Sequence, residues 1–239
     1  MPDLKAQLRE ADIPITEEAM NALAAYQDML LEWNTRMDLT SVSGEDMGAR
    51  HFVDSLLPLT KADLFPESCR LIDVGTGAGF PGLALAIARP QWEVTLLEAQ
   101  GKRCQFLNAV CEALNIQNVT VIQERAEVLG RDERHREAYD RAIARAVAPL
   151  NVLCEYLLPF VKAGGQALCW KGPAAAEEME DGAFAAESLG GRLGELVDMP
   201  LRETRHVLAV IEKIEKTPPQ YPRKNGIPVK RPLKSVKKG

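Results

Sequence analysis

Residues 71–82 read Leu-Ile-Asp-Val-Gly-Thr-Gly-Ala-Gly-Phe-Pro-Gly, a short apolar run followed by closely spaced glycines. The apolar run predicts a β-strand, and Pro81 suits the first turn of a following helix. Gly75, Gly77 and Gly79 allow the backbone to turn sharply and to approach a ligand, because glycine has no Cβ. This unit predicts a ligand site at the carboxyl end of a strand, where open α/β sheets bind their ligands.

Strand and helix patterns alternate along the middle of the chain. Short apolar runs typical of strands lie at residues 71–74, 94–97, 119–122, 141–144, 166–170, 194–197 and 206–211. Helical patterns lie at residues 82–88, 101–114 and 174–189. The last two strands are expected to be antiparallel. This alternation predicts an α/β fold with a mainly parallel, seven-stranded sheet and helices on both faces.

The amino-terminal part of the chain has a helical pattern. Apolar residues from Ala19 to Met37 recur at steps of three and four, which places them on one face of a helix. Thr16 is a suitable N-cap for this helix. A second helix is expected over 45–57 and should end before Pro58, because proline lacks the N–H that a helix interior needs.

The last part of the chain, residues 216–239, is rich in proline. Its five prolines disfavour regular structure, and together with Asn225 and Gly226 they indicate either a linker or a shaped arm that docks. We therefore expect three regions: a helical extension over 1–60, a ligand-binding domain over 61–215 and this tail.

Charge is unevenly divided along the chain. The tail carries eight basic residues and no acid, whereas the preceding 215 residues carry 21 basic and 34 acidic residues, a net charge of −13. A basic arm of this kind often contacts nucleic acid. A solvated tail that only aids solubility is the alternative. The eight basic residues are Lys216, Arg223, Lys224, Lys230, Arg231, Lys234, Lys237 and Lys238.

The composition argues against several classes of protein. The 239 residues are 46% hydrophobic and 26% charged, as in globular proteins. No apolar run reaches the length of about 18 residues that predicts a membrane span, and the first residues lack the pattern of a signal peptide. The five cysteines form no Cys-x-x-Cys pair and only three histidines are present, so no metal site is expected. We expect a cytoplasmic monomer without membrane contact.

Two acids accompany the glycines. Asp73 lies two residues before Gly75, and Glu98 ends the second strand, close to the offset of about 20 residues at which an acid binds ribose hydroxyls. A carboxylate there repels the 2′-phosphate of NADP, but it could also serve NAD. The spacing Gly-x-Gly-x-Gly differs from the Gly-x-Gly-x-x-Gly that cradles a pyrophosphate, and it favours S-adenosylmethionine, which has no phosphate. A tight strand-to-helix turn that binds nothing is the structural alternative.

Asp-x-Gly-x-Gly-x-Gly with a downstream acid resembles the class I methyltransferases. Further segments resemble one family within that class, the bacterial small-subunit (16S) ribosomal RNA guanine-N7 methyltransferases, also called the glucose-inhibited division protein B family. These segments cover most of the chain: Trp33-Asn-x-x-Met-Asp-Leu-Thr, His51-Phe-x-Asp-Ser-Leu, Asp73-Val-Gly-Thr-Gly-Ala-Gly-Phe-Pro-Gly, Leu97-Glu-Ala-x-Gly-Lys-Arg, Arg125-Ala-Glu, Ala144-Arg-Ala-Val-Ala, Lys171-Gly and Tyr221-Pro-Arg-Lys-Asn-Gly-x-Pro.

The resemblance implies a Rossmann-like class I methyltransferase fold with S-adenosylmethionine as the cofactor. It assigns cofactor contacts to Asp73, Gly75, Gly77, Phe80, Glu98, Ala126, Glu127 and Arg145. Gly75 and Phe80 would line the methionine and adenosine sides of the loop. Ala126 and Glu127 would face the adenine. Arg145 would lie where cofactor and substrate meet and would position them.

The resemblance also implies a partner, ribosomal RNA or the small ribosomal subunit. It places four basic residues on the substrate side: Arg145, Lys171, Arg223 and Lys224. Simpler interpretations exist for several of the matched residues. Glu127 could be an acid favoured at a helix start, Arg145 a surface ion pair, and Lys171 a solvated strand end. His51 and Asp54, one helical turn apart, could form a local surface pair.

The residues after the fourth strand bear on the methyl acceptor. Methyltransferases that act on amino groups share an Asn/Asp-Pro-Pro-aromatic turn at this place, and residues 144–149 lack it. Methyltransferases that act on carbon 5 of pyrimidines share a nucleophilic cysteine. Cys154, the nearest cysteine, lies well inside a predicted helix. Guanine N7 has a free lone pair and no proton, so its methylation needs no general base. The sequence is thus consistent with the guanine-N7 activity that the resemblance implies. A non-catalytic RNA-binding or ribosome-assembly factor on the same fold is the alternative.

Overall fold

A seven-stranded sheet forms the framework of the computed structural model, which describes residues 3–145, 148–201 and 204–235. The strands are β1 (Arg70–Val74), β2 (Glu93–Glu98), β3 (Val119–Gln123), β4 (Tyr139–Arg145), β5 (Val161–Lys171), β6 (Gly191–Leu201) and β7 (Thr204–Lys213). Their order is β3-β2-β1-β4-β5-β7-β6. β1 with β4, β4 with β5 and β2 with β3 are parallel, whereas β7 is antiparallel to β5 and β6. The predicted α/β fold with an antiparallel last pair is confirmed.

Helices connect and flank the strands. They are α1 (Leu4–Glu10), α2 (Glu17–Asn34), α3 (Gly44–Met47), α4 (Asp54–Leu56), α5 (Gly82–Ala88), α6 (Gly101–Ala113), α7 (Ala126–Leu129), α8 (Leu150–Leu157), α9 (Met179–Ser188) and α10 (Ile227–Lys230). The Thr16 side chain accepts a hydrogen bond from the Ala19 N–H at 3.2 Å, which confirms the predicted N-cap of α2. In the part of the chain that the structure describes, every helix is too short or too polar to cross a bilayer.

Two predicted helices have a different internal structure. The one expected over 45–57 consists of α3, a π-helical segment Gly48–Val53, α4 and a 3₁₀ segment Leu57–Thr60. The α-helical part ends at Leu56, before Pro58 as expected, but the chain continues into the 3₁₀ segment, whose first turn accepts Pro58 because an N–H is not needed there. The helix expected over 174–189 divides into a 3₁₀ segment, Pro173–Glu178, and α9.

The contacts group the chain into two compact units. The first comprises Met1–Cys69 and Thr76–Gln123, and the second comprises Arg70–Gly75 and Glu124–Gly239. In the first unit α2 packs on α5 and α6, and the predicted apolar stripe is buried from Ala19 to Leu30 but not at its end, since α2 stops at Asn34, before Met37. In the second unit α8 packs against β4, β5 and α9. The predicted boundaries after residues 60 and 215 stay a prediction.

The carboxy-terminal segment belongs to the second unit and packs against the rest of it, so of the two expected alternatives the linker is wrong and the docked arm agrees with the structure. The Arg136 guanidinium donates hydrogen bonds to backbone carbonyls of the tail, at Thr217 (2.8 Å) and Tyr221 (2.8 Å). The Asn151 amide donates to the Leu233 carbonyl at 2.7 Å. Prolines do not prevent this docking, because a carbonyl acceptor needs no N–H and the N–H groups that the tail donates belong to residues other than proline. Lys237 and Lys238 lie outside the described residues.

Candidate active site

Three glycines with positive φ shape the glycine loop, residues 75–81, between β1 and α5. Their φ angles are 72° at Gly75, 61° at Gly77 and 100° at Gly79, all in the region that side chains disfavour. A Cβ at Gly77 would meet no atom within 4 Å, whereas a Cβ at Gly79 would overlap the Tyr26 hydroxyl and lie 2.9 Å from Leu83 Cβ. Gly77 therefore leaves an open approach to the backbone, and Gly79 makes room for close packing.

Glu98, the last residue of β2, holds its carboxylate beside this loop. Its Oε2 accepts a hydrogen bond from the Gly77 N–H at 3.0 Å, and its Oε1 accepts one from the Gln100 N–H at 2.8 Å. Arg103 Nη1 lies 3.7 Å from Oε2. An ionised carboxylate offers about four acceptor positions, so at least one lone pair on each oxygen remains after these two hydrogen bonds. Two such positions match in number the two hydroxyls of a ribose, such as that of S-adenosylmethionine.

Phe80 lies in an aromatic cluster of the first unit. Its ring stacks on Tyr26 and on His51, at centroid distances of 5.2 and 4.7 Å with an interplanar angle of 15° in both cases. The Tyr26 hydroxyl donates a hydrogen bond to the carbonyl of Ala78 in the glycine loop. Phe80 is 4% exposed, so the structure gives its ring a packing role. Its predicted contact with the cofactor stays a prediction.

His51 and Asp54 do not form a surface pair. Asp54 is buried, and His51 Nε2 shares a hydrogen bond with the Thr40 hydroxyl at 2.6 Å. That bond and the stacking on Phe80 fix the imidazole ring. The interpretation of the two residues as a local surface pair is therefore wrong.

In the second unit, Asp73 and Glu127 are both buried. Asp73 lies in β1 opposite Ile143 of β4. Glu127 lies in the first turn of α7, directly after Ala126, and its Oε1 accepts a hydrogen bond from the Gly226 N–H in the tail at 2.9 Å. Burial, followed by the charges of Glu127 and Glu155, raises the pKa of Tyr156 to about 12. Glu127 thus binds the tail and is more than an acid at a helix start.

The four basic residues of the predicted substrate side differ in their surroundings. Arg145 ends β4 opposite Trp170 and is half-buried, and the two residues after it lie outside the described ranges. Lys171 Nζ lies 2.8 Å from the Glu178 carboxylate and 3.1 Å from the Ala148 carbonyl, so the interpretation as a solvated strand end is wrong.

The two candidates in the tail also differ from each other. The Arg223 guanidinium forms a bidentate ion pair with the Glu155 carboxylate, with Nε 2.9 Å from Oε1 and Nη2 2.5 Å from Oε2. The Lys224 side chain is exposed. Of the two tail candidates, Lys224 is therefore the one whose charge faces solvent without such a partner.

Comparison with known proteins decides the family. A family model described as GidB, rRNA small subunit methyltransferase G, matches residues 19–208. The chain belongs to the GidB family. Proteins named ribosomal RNA small subunit methyltransferase G from Alkaliphilus oremlandii and Alkaliphilus metalliredigens are 47% and 44% identical to it, over 97% of this chain and 98% of theirs. The protein of that name from Leuconostoc citreum is 43% identical over 95% of this chain and 96% of its own.

Solved structures agree with the Rossmann-like fold of this GidB-family chain. A mutant of the 16S rRNA (adenine(1408)-N(1))-methyltransferase from Catenulisporales acidiphilia matches 63% of this chain and 87% of its own, with a TM-score of 0.51 and 16% identity. The M. jannaschii protein TYW2, solved in complex with AdoMet, matches 64% and 73%, with a TM-score of 0.50 and 20% identity. At sequence identities this low, the likeness concerns the fold alone.

Some residues at the GidB glycine loop were not predicted from the sequence. Gln100 and Arg103 contact the Glu98 carboxylate, and Tyr26 binds the loop from α2. Tyr26 was part of the predicted apolar stripe, which indicates burial but not the partner of its hydroxyl. Gln100 follows Glu98 by two residues, and only the local turn brings its N–H onto the carboxylate.

Proposed function

We propose that this chain is an S-adenosylmethionine-dependent methyltransferase that methylates N7 of a guanine in 16S ribosomal RNA. The observation that carries the proposal is the Glu98 carboxylate, which two backbone N–H groups hold beside the open side of Gly77 with an acceptor position left on each oxygen. Relatives named ribosomal RNA small subunit methyltransferase G match this chain over nearly their whole length.

The reaction needs positioning more than acid–base chemistry. S-adenosylmethionine supplies a methyl group on a cationic sulfur, and the lone pair of guanine N7 forms the new carbon–nitrogen bond as the carbon–sulfur bond breaks. No proton leaves N7, so the chain has to align the acceptor, the methyl carbon and the sulfur. We assign the ribose hydroxyls to Glu98, and the place where cofactor and guanine meet to Arg145. The other proposed cofactor contacts are Asp73, Gly75, Gly77, Phe80, Ala126 and Glu127.

The substrate is ribosomal RNA, either free or within the small ribosomal subunit, and the enzyme acts in the cytoplasm as a monomer. The exposed cations of the tail, which include Lys224, are suited to contacts with RNA phosphates. Arg223 and Lys171, which we also propose on the substrate side, form internal ion pairs that hold the tail and the end of β5 in place.

Two measurements test this function. Purified protein should bind radiolabelled S-adenosylmethionine and not NAD. Mass mapping of 16S ribosomal RNA from cells with and without the gene should reveal one guanine that carries an N7-methyl group only when the protein is present. Binding of S-adenosylmethionine with unchanged ribosomal RNA methylation would instead favour another substrate, and binding of NAD alone would refute the cofactor.

Replacement of Glu98 by alanine should weaken S-adenosylmethionine binding by about 1–3 kcal/mol, the scale of lost hydrogen bonds to a charged group. S-adenosylhomocysteine should be weakened equally, because it keeps the ribose. Isothermal titration calorimetry measures both. Glu112→Ala is the matched control, since Glu112 is an exposed acid on α6. Equal affinity of wild type and Glu98→Ala for both ligands would show that Glu98 does not bind the ribose.

A further inference from the structure

A continuous series of hydrogen bonds joins Tyr26 of α2 to the Glu98 carboxylate. The Tyr26 hydroxyl donates to the Ala78 carbonyl. The same peptide group donates its N–H, that of Gly79, to the Thr76 carbonyl at 2.9 Å. The next peptide group in the series has the Thr76 carbonyl at one end and the Gly77 N–H at the other, and that N–H donates to Glu98 Oε2 at 3.0 Å. Two peptide groups of the glycine loop thus connect the hydroxyl to the carboxylate.

We propose that Tyr26 is a positioning residue for the cofactor, which acts on the ribose-binding carboxylate of Glu98 through the peptide groups of the glycine loop. The inference rests on the proposed function of Glu98. Each peptide group is a rigid plane, so a bond that fixes its carbonyl also fixes the direction of its N–H. Hydrogen bonds in such a series also polarise one another, which strengthens the last bond to the carboxylate.

The surroundings of Tyr26 hold its hydroxyl in this position. The side chain is fully buried, and its ring packs against Phe80 by stacking and against Phe52 edge-on. Gly79 lies so close to the hydroxyl that a Cβ there would overlap it. Tyr26 therefore contacts the loop at two points, through the Ala78 carbonyl and the Phe80 ring, and its hydroxyl occupies the space that a side chain at position 79 would need. A helix from the amino-terminal part of the chain supports the loop directly.

A double-mutant cycle on cofactor affinity tests the proposal. Tyr26→Phe removes the hydroxyl and keeps the ring, and it should raise the dissociation constant of S-adenosylmethionine about three- to tenfold, the scale of one hydrogen bond. In the background of Glu98→Ala the same replacement should change that constant less than about twofold, because its effect travels through the carboxylate. Calorimetry on the four purified full-length proteins provides the values.

Tyr139→Phe is the matched control, because Tyr139 is also fully buried and its hydroxyl bonds the imidazole of His135 in the second unit. It should lower the melting temperature as Tyr26→Phe does and leave the affinity for S-adenosylmethionine unchanged. Hydrogen exchange of the Gly77 and Gly79 amides should speed up in Tyr26→Phe alone.

Each outcome of the cycle has one meaning. Equal effects of Tyr26→Phe in both backgrounds would overturn the proposal, since the hydroxyl would then act independently of Glu98. An unchanged affinity in the single Tyr26→Phe variant would overturn it as well. If Glu98→Ala itself leaves the affinity unchanged, the ribose assignment under the proposed function fails first.

Discussion

Replacement of Arg223 by alanine is expected to lower the free energy of unfolding by about 3–5 kcal/mol, although Arg223 lies in the tail. The Glu155 carboxylate on α8 is 0% exposed, and its two oxygens accept hydrogen bonds from the Arg223 side chain and from the Arg223 backbone N–H at 2.7 Å. Without the guanidinium, a buried negative charge loses its partner. Such a charge is costly because the surrounding apolar groups cannot solvate it.

Urea unfolding followed by circular dichroism measures this loss. Arg192→Ala is the matched control, because Arg192 also forms an arginine–glutamate pair, with Glu212 at 2.6 Å, but its side chain is 71% exposed and that of Glu212 45%. Its expected effect is at most about 1 kcal/mol, since solvent screens the pair. A second replacement, Glu155→Gln, should restore part of the stability of Arg223→Ala, because the amide removes the charge and keeps an acceptor. A loss below 1 kcal/mol in Arg223→Ala would contradict the buried-pair argument.

The role of Arg223 illustrates what charge composition can and cannot predict. Eight basic residues without an acid indicated a nucleic-acid arm, but composition does not state which charges have internal partners. The partner of Arg223 is 68 residues away in sequence, on α8, and no local pattern relates the two. The remaining described cations of the tail, for example Lys224 and Lys230, are exposed and stay available for RNA.

Local patterns predicted the fold well because they depend on neighbours in sequence. The strands of the sheet follow from short apolar runs, and the N-cap at Thr16 follows from one side chain and the residues after it. The change between α-, π- and 3₁₀-helical segments over residues 44–60 depends instead on tertiary packing, about which the apolar periodicity carries no information. Glu98 was found from its distance in sequence to the glycines, whereas Tyr26 is 52 residues from its partner Ala78.

The same limit applies to the glycines themselves. From the sequence alone, Gly77 and Gly79 are predicted to serve the same purpose, a sharp turn that a ligand can approach. Both do have positive φ. Their neighbours in space differ: Gly77 faces open space and Gly79 faces the buried Tyr26 hydroxyl. Only the structure therefore separates a glycine needed for ligand approach from one needed for packing.

Gly79→Ala should accordingly destabilise the fold, by about 2–4 kcal/mol, through overpacking and backbone strain together. The new methyl group would overlap the Tyr26 hydroxyl and lie 2.9 Å from Leu83 Cβ and 3.0 Å from Leu107 Cδ2. The first two of these neighbours cannot move far, because Tyr26 is enclosed by aromatic rings and the Leu83 Cβ is fixed to the backbone of α5. Denaturant unfolding of the purified variant, monitored by circular dichroism, measures the loss.

Gly77→Ala provides the comparison that separates packing from binding. Its φ of 61° costs about 1–2 kcal/mol for an alanine, but the methyl group meets no atom within 4 Å, so the fold should lose less than in Gly79→Ala. Affinity for S-adenosylmethionine should fall more than tenfold in the folded Gly77→Ala protein, because its methyl group occupies the open side from which a ligand approaches the backbone and Glu98. Calorimetry at a temperature where the variant is folded decides this. Near-normal affinity of Gly77→Ala would mean that the cofactor does not approach the loop at Gly77. A loss of stability equal to that of Gly79→Ala would mean that backbone strain, not packing, dominates at both positions.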